Sequence, residues 1–281
     1  MSKNKYLTPK EIMQNLTDIS ETKAKSSVAD LFLLSVLAGA YIGFAAHLAT
    51  VIATGSTDWI GVKRFLIGAV FSVGLMLVII PGSELWTGNN LMVAGLYSKR
   101  IGFVDIIRNW MIVYFGNFAG SVLIAFIIAK SSGLLDGAFG ATALKISSAK
   151  INSEIYGISH NLAYFFRGIG CNWLVCLAVL IAISAQDISG KILGIFFPIM
   201  AFVASGFEHS IANMYFLTSG IFAKSFPNAV NLSGLSSDLI SNINWFEMWA
   251  NNLISVTLGN FVGGAIFTGT LYWWIYMRKD M

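Results

Sequence analysis

Six long apolar runs, near 28–54, 65–97, 106–130, 161–185, 191–223 and 245–277, alternate with short polar junctions along the chain. Each meets the ~20 residues that a helix needs to cross the hydrocarbon core of a bilayer. The second and fifth runs are interrupted at their centres by PGSELWTGNN (81–90) and SGFEHSIANM (205–214). Both interruptions carry glycine and a carboxylate, which a lipid-facing helix does not tolerate. The pattern predicts two broken helices whose open backbone is buried in protein or lines a wet cavity.

The interruptions belong to a repeat. Gly82-x-Glu84-x4-Asn89 recurs as Gly206-x-Glu208-x4-Asn213, and Asn109-x6-Gly116-Asn117-x-x-Gly120 recurs as Asn252-x6-Gly259-Asn260-x-x-Gly263. The chain reads as two copies of a three-helix unit. Three crossings leave a chain on the far side of a membrane, so the second copy is expected upside down relative to the first. The predicted fold class is an all-α membrane protein: six transmembrane helices as two inverted three-helix repeats, with helices 2 and 5 broken. Paired broken helices meeting at a midplane point to transport.

Ahead of the first run, TPKEIMQNL opens a helix by its own chemistry, with Thr8 as N-cap, Pro9 at the first helical position and Glu11 completing a capping box. Ile12, Leu16 and Ile19 fall on one face. Residues 1–27 are read as a cytoplasmic amphipathic N-terminal helix along the membrane surface, with Lys23 and Lys25 at the headgroups. Packing on the protein's own cytoplasmic face is the alternative. Residues 28–277 form the six-helix domain. The N-terminal stretch lacks the apolar core of a signal peptide, so insertion begins at the first spanning helix.

Composition agrees, because 56% of residues are hydrophobic and only 11% charged, too few charges for a soluble surface. The net charge of +4 comes from basic residues beside membrane ends, which the positive-inside tendency explains without nucleic acid. With the N-terminus inside, eleven Lys and Arg fall on that side against seven elsewhere, so both termini are expected in the cytoplasm and the 131–160 connection outside. Cys171 and Cys176 lie ~140° apart on a helix and suit neither a disulfide nor a metal pair. Nothing in the pattern calls for a cofactor.

Each break ends one half-helix and begins another, leaving free N–H groups and a positive dipole end that attract anions at mid-membrane. Glu84 and Glu208 are read as structural fasteners of these ends, accepting N–H bonds, since a bare carboxylate facing a pore would repel an anion. His209, beside Glu208 in FVASGFEHSIANMYF, is the candidate central residue. An ionisable group at bilayer depth costs about 2.5–3.5 kcal/mol on insertion scales, and imidazole, with a reference pKa of about 6.5, can donate a hydrogen bond or a proton near neutrality. Thr87 of the opposing break could fix its tautomer. The competing reading of His209 is a buried neutral histidine tying two helices together. His47, alone in the first helix, is read as structural. Asn172 and Asn260 either line a pore or lock helices together, and the GN-x-x-G setting of Asn260 favours close packing.

GSELWTGN, YFGNFAG, CNWLVCLAV, FVASGFEHSIANM and VTLGNFVGG together resemble the formate/nitrite transporter family over about residues 10–278, the central stretch being most similar to the formate branch. The resemblance implies an aquaporin-like fold assembled as a homopentamer in membrane lipid, each protomer carrying one pore for a small monovalent anion: formate, nitrite or hydrosulfide. It further implies an inner constriction at Leu75, Leu85 and Trp86, an outer one at Phe71, Val175 and Phe202, and His209 between them near Thr87, with Asn172 and Asn260 as polar lining. The expected mechanism is proton exchange at His209, which lets the neutral acid pass the second ring. This sequence departs from the family twice. Trp86 stands where Phe is usual, and Tyr156 occupies the position of an external lysine, a role assigned instead to Lys150, with Lys145 as the alternative.

A water or glycerol pore also uses six spans and broken helices, but neither break carries Asn-Pro-Ala. An enzyme would need a nucleophile and base, and the one tempting pair, His209 and Ser210, points about 100° apart on a helix. No enzymatic activity is therefore expected.

Overall fold

The computed structural model describes residues 6–152 and 157–280; Tyr156, named above, lies outside them. The described residues are helical, joined by short connections, with one isolated bridge between Tyr6 and Ala185. In chain order the elements are α1 (Pro9–Lys25), α2 (Val28–Ala53), α3 (Ile60–Ile79), α4 (86–97), α5 (Phe103–Ser131), α6 (Ala138–Asn152), α7 (His160–Ser184), α8 (Ile188–Ala204), α9 (Ser210–Ala223), α10 (Pro227–Ser233), α11 (Ser237–Asn242) and α12 (Trp245–Tyr276). Five of these, α2, α3, α5, α7 and α12, are long and apolar enough to cross a membrane, while α8 is shorter at 17 residues. Large apolar side chains such as Phe44, Phe103, Phe115, Phe166 and Phe197 are exposed, which suits a lipid-facing surface rather than water.

The second and fifth apolar runs are broken where the sequence indicated. Helix α3 stops at Ile79 and α4 starts at Trp86; α8 stops at Ala204 and α9 starts at Ser210. Both reversals turn on a glycine in the left-handed region, Gly82 at φ +85° and Gly206 at φ +79°, where a side chain would be strained. Helix pairs α2/α5 and α7/α12 pack closely through small residues. A Cβ on Gly120 would meet the backbone of Val36, and one on Gly263 would meet the backbone of Ile169, the kind of approach that small residues permit between helices in lipid.

Helix α1 corrects one expectation. Glu11 Oε2 accepts from both the backbone N–H and the hydroxyl of Thr8 at 2.7 Å, as its capping box requires. The helix then packs on the protein body instead of lying along lipid: Met13 and Leu16 are buried with Leu91, Ala94, Cys176, Leu180 and Trp273. Lys25 stays largely exposed, but Lys23 turns inward, away from any headgroup, because a carboxylate in the first break takes its charge.

Candidate functional site

Both breaks are held by the same parts. Trp86, the first residue of α4, offers a backbone N–H that Asn117 Oδ1 accepts at 2.9 Å, while Asn117 Nδ2 donates to the carbonyls of Glu84 and Ser35 at 2.8 Å. In the second half Ser210, the first residue of α9, donates to Asn260 Oδ1 at 2.8 Å, and Asn260 Nδ2 donates to the carbonyls of Glu208 and Gly168 at 2.8 Å. Helix-start donors otherwise left without partners at depth are thereby satisfied by an amide from a neighbouring helix.

The glutamates do a different job from the one anticipated. Neither carboxylate accepts from the backbone N–H of a half-helix end among the described residues. Glu84 instead accepts from Lys23 Nζ at 2.7 and 2.8 Å and from Asn89 Nδ2 at 2.7 Å, and Asn89 Nδ2 also reaches Asn109 Oδ1 at 2.8 Å. Glu208 accepts from Lys150 Nζ at 2.6 Å and from Asn213 Nδ2 at 2.7 Å, and Asn213 Nδ2 reaches Asn252 Oδ1 at 2.7 Å. The physical reason is charge. A carboxylate this far from water is stable only with a cation and hydrogen bonds around it, and α1 and α6 each bring one lysine.

Two cavities approach each other at the breaks. One, of about 320 Å³, is lined on the α1 side by Leu16, Ser20, Lys23, Leu75, Glu84 and Leu85. The other, of about 310 Å³, is lined on the α6 side by Phe71, Lys150, Phe202, Phe207, Glu208 and His209. Phe71 and Leu75 lie one turn apart on α3, about 6 Å of helix rise, so the wall between the cavities is thin and apolar. Phe71 packs edge-on to Phe202 at 5.9 Å between centroids, and Phe202 stacks on His209 at 5.9 Å.

His209 lines the α6-side cavity at this wall. It is buried, caps α9 by accepting the backbone N–H of Ala212 at Nδ1 (3.0 Å), and its Nε2 lies 3.0 Å from Thr87 Oγ1 of the opposing break. Since Nδ1 accepts, the proton of the neutral ring belongs on Nε2 and is donated to Thr87. The threonine hydroxyl then keeps its own proton free for another acceptor. With both ring nitrogens engaged and Ser210 Oγ without a partner among the described residues, His209 and Ser210 do not form a nucleophile–base pair.

Other anticipated residues fall elsewhere. Trp86 is not among the residues lining either cavity; it packs edge-on to Tyr114 at 5.4 Å and lines a lateral cleft with Trp110 and Trp249. The residue after Leu85 begins a helix and so points away from it. Val175 is buried in the core and does not line the two cavities. Asn172 Nδ2 lies 3.1 Å from the Thr87 carbonyl, 3.1 Å from Asn90 Oδ1 and 2.7 Å from the Asn260 carbonyl. Both Asn172 and Asn260 are thus braces whose amide donors are taken by protein. Phe207 is a site residue that the sequence did not single out, and Lys23 was read from the sequence as a headgroup lysine rather than a site residue. Asn89, Asn213, Asn109 and Asn252 were visible in the repeat but without a role.

Known proteins share this sequence and fold over most of their length. The family model for the formate/nitrite transporter matches residues 10–274. A probable formate transporter of Methanothermobacter thermautotrophicus is 41% identical, covering 98% of each chain, and the formate channel FocA of Escherichia coli K12 is 32% identical, covering 92% of this chain and 90% of that one. Among solved structures, a pentameric formate channel with formate bound superposes with a TM-score of 0.79 at 38% identity, covering 89% of this chain and 98% of the other. An FNT family ion channel superposes with a TM-score of 0.80 at 29% identity, covering 94% and 98%. Two lysine-neutralised breaks joined by His209 and Thr87 are therefore the centre of an integral membrane protein that belongs to the formate/nitrite transporter family.

Proposed function

We propose that the protein is a channel for small monovalent anions of weak acids, formate foremost, with one pore in each protomer of a homopentamer in the cell membrane. The observation that carries this is the His209–Thr87 bridge in a thin apolar wall between two cavities, with Lys150 beside it. Formate is supported by relatives that are formate transporters and channels. The excess of Lys and Arg on the α1 side supports cytoplasmic termini, residues 1–27 then forming the cytoplasmic helix.

An anion entering from the α6 side meets the Lys150 ammonium, sheds water at Phe71 and Phe202, and reaches Thr87 and His209. A bare charge is costly in that wall, and protonation to the neutral acid removes most of the penalty. Proton exchange at His209 has a structural condition. An imidazolium carries N–H at both nitrogens, so it must part Nδ1 from the Ala212 N–H that now caps α9. The proton therefore passes through a state in which that cap is open, and Thr87 serves as the hydrogen-bond donor while it is closed.

Flux of formate, nitrite, hydrosulfide and chloride into liposomes at equal gradients and two pH values tests this. Formate is expected to lead and to rise as external pH falls, and His209→Asn to flatten that pH response. Leadership by nitrite or hydrosulfide would move the chain to another branch of the family. An unchanged pH response in His209→Asn would remove the proton-exchange step.

A further inference from the structure

On the lipid-facing side, α5 and α12 meet through aromatic side chains rather than closely packed backbones: Trp110 on Phe261 at 5.5 Å, Tyr114 on Trp249 at 6.3 Å and Phe118 on Trp249 at 5.5 Å between centroids. They leave a cleft of about 350 Å³, the size of a small-molecule site. Its rims are Ile107, Met111 and Phe115 on α5 and Ile254 and Leu258 on α12, all exposed and apolar. Its floor holds Trp86, Trp110, Tyr114, Trp249 and Thr257, and no charged side chain among the described residues lines it.

Two features set this floor apart from a groove for lipid chains. Tyr114 Oη and Thr257 Oγ1 lie 2.9 Å apart, and neither hydroxyl has another partner among the described residues. Two hydroxyls hold two protons and their mutual bond uses one, so one donor is left over in apolar surroundings, where an unmade hydrogen bond is costly. Acyl chains offer it no acceptor. Tyr114 and Thr257 also sit well inside α5 and α12, away from the ester oxygens at the edge of a ~30 Å hydrocarbon core. Trp86 is the second feature. It is 6% exposed and packs edge-on to Tyr114, while the residue before it, Leu85, lines the α1-side cavity and the one after it, Thr87, bonds His209. Trp110 grips the same half-helix, donating from Nε1 to the Asn89 carbonyl at 2.8 Å.

We propose that this cleft binds a neutral, planar lipophile bearing ring carbonyls, the chemistry of a membrane quinone, with one carbonyl oxygen accepting from the Tyr114–Thr257 pair and the ring lying among the tryptophans. The aromatic floor offers edges and faces to a planar ring, the hydroxyl pair supplies the donor, and the apolar rims lead the rest of the molecule out to lipid. Binding involves no electron transfer. The occupant reaches the passage from behind: crowding Trp86 shifts the Leu85–Thr87 stretch and narrows the α1-side approach to the wall. This regulatory step rests on the transport reading, whereas the binding site does not.

The probes are 2,3-dimethyl-1,4-naphthoquinone and 2,3-dimethylnaphthalene, alike in outline except for the two carbonyls, added to the full-length protein in detergent. Three of the eight tryptophans line the cleft, so quinone binding is read as saturable quenching of tryptophan fluorescence and the naphthalene by its competition with the quinone. The quinone is expected to bind about fivefold more tightly, the factor for one hydrogen bond. Y114F/T257V should erase that preference and leave the naphthalene's affinity as it was, whereas T257V, which keeps the tyrosine hydroxyl as donor, should retain it. In liposomes the quinone should lower initial formate uptake by the wild type over the same concentration range. Y114F/T257V should raise the half-effective concentration about fivefold, with uptake in the absence of probe at the wild-type level. Equal affinity of the two probes, unchanged by Y114F/T257V, would mean a groove for acyl chains only, and absence of saturable quenching would mean that a second copy of the chain covers the cleft. Either result overturns the site. Binding with the expected preference but no effect on uptake overturns the regulatory step. The same binding by a protein that carries no anion would sink the transport reading while leaving the site standing.

Discussion

At Asn260 one amide meets three backbone groups: the N–H of Ser210 and the carbonyls of Glu208 and Gly168, all at 2.8 Å. The sequence showed an asparagine in a glycine-rich helix repeated at Asn117, which is enough to mark close packing but not to say whether the amide faces a pore. Both amide donors are taken by backbone carbonyls, so none is left to offer an anion. Asn260→Leu leaves these buried groups without partners, each worth about 1–3 kcal/mol. The expected loss is about 3 kcal/mol of stability, read from unfolding in detergent. Normal stability combined with an altered order of anions would mean that the side chain lines the pore after all. Lys23 and Glu84 mark the opposite limit of what a sequence shows: they meet across 61 positions, and neither periodicity nor the repeat brings a residue of the N-terminal helix to the first break.

Helices entered the reading in unequal ways. The long apolar runs, the two glycine-carboxylate interruptions and the capping box at Thr8 all act locally, so α1, α2, α5, α7 and α12 and both breaks were legible. What α1 packs against was not, since an amphipathic face fits lipid or protein equally well. Its apolar face covers Leu91 and Trp273, and Lys23 fixes its end to Glu84. Removing one partner of a buried pair costs about 3–5 kcal/mol, and the 22% exposure of the Lys23 side chain puts this pair toward the low end. Lys23→Met should therefore release α1 and make its amides exchange faster and its chain cleavable by protease. K23M/E84Q, which leaves no bare carboxylate and keeps an acceptor for Asn89, should restore most of the protection. The links of Arg100 to Asp18 and Glu21 lie in water, where solvent and salt screen them, so Arg100→Gln serves as the control. Equal protection in Lys23→Met and Arg100→Gln would show that the Lys23 link does not hold the helix down.

Across the whole molecule, the two halves use one bonding plan with different residues at its tips. Leu85 and His209 occupy matching places before their half-helices, and Trp86 and Ser210 matching places at their starts, so the repeat supplies a frame and the departures from it supply the site. Thr87 of the first half and His209 of the second meet at 3.0 Å within a single chain. On the proposed function, the passage is thus assembled by one protomer, and copies in an oligomer have no need to share a pore. In a pentamer, assemblies made from mixtures of wild type with a silent variant should carry flux in direct proportion to the wild-type fraction. Leu75→Arg suits as that variant, because it plants an uncompensated charge in the apolar wall between the cavities. Mass measurement of the purified assembly, expected at about 150 kDa for five 30.5 kDa chains, would establish the pentamer, and co-purification of untagged wild type on a tagged Leu75→Arg chain would establish that mixing has produced hetero-oligomers. Flux falling with a steep power of the wild-type fraction would mean that neighbouring copies complete the pore, and that the His209–Thr87 bridge alone does not define the path.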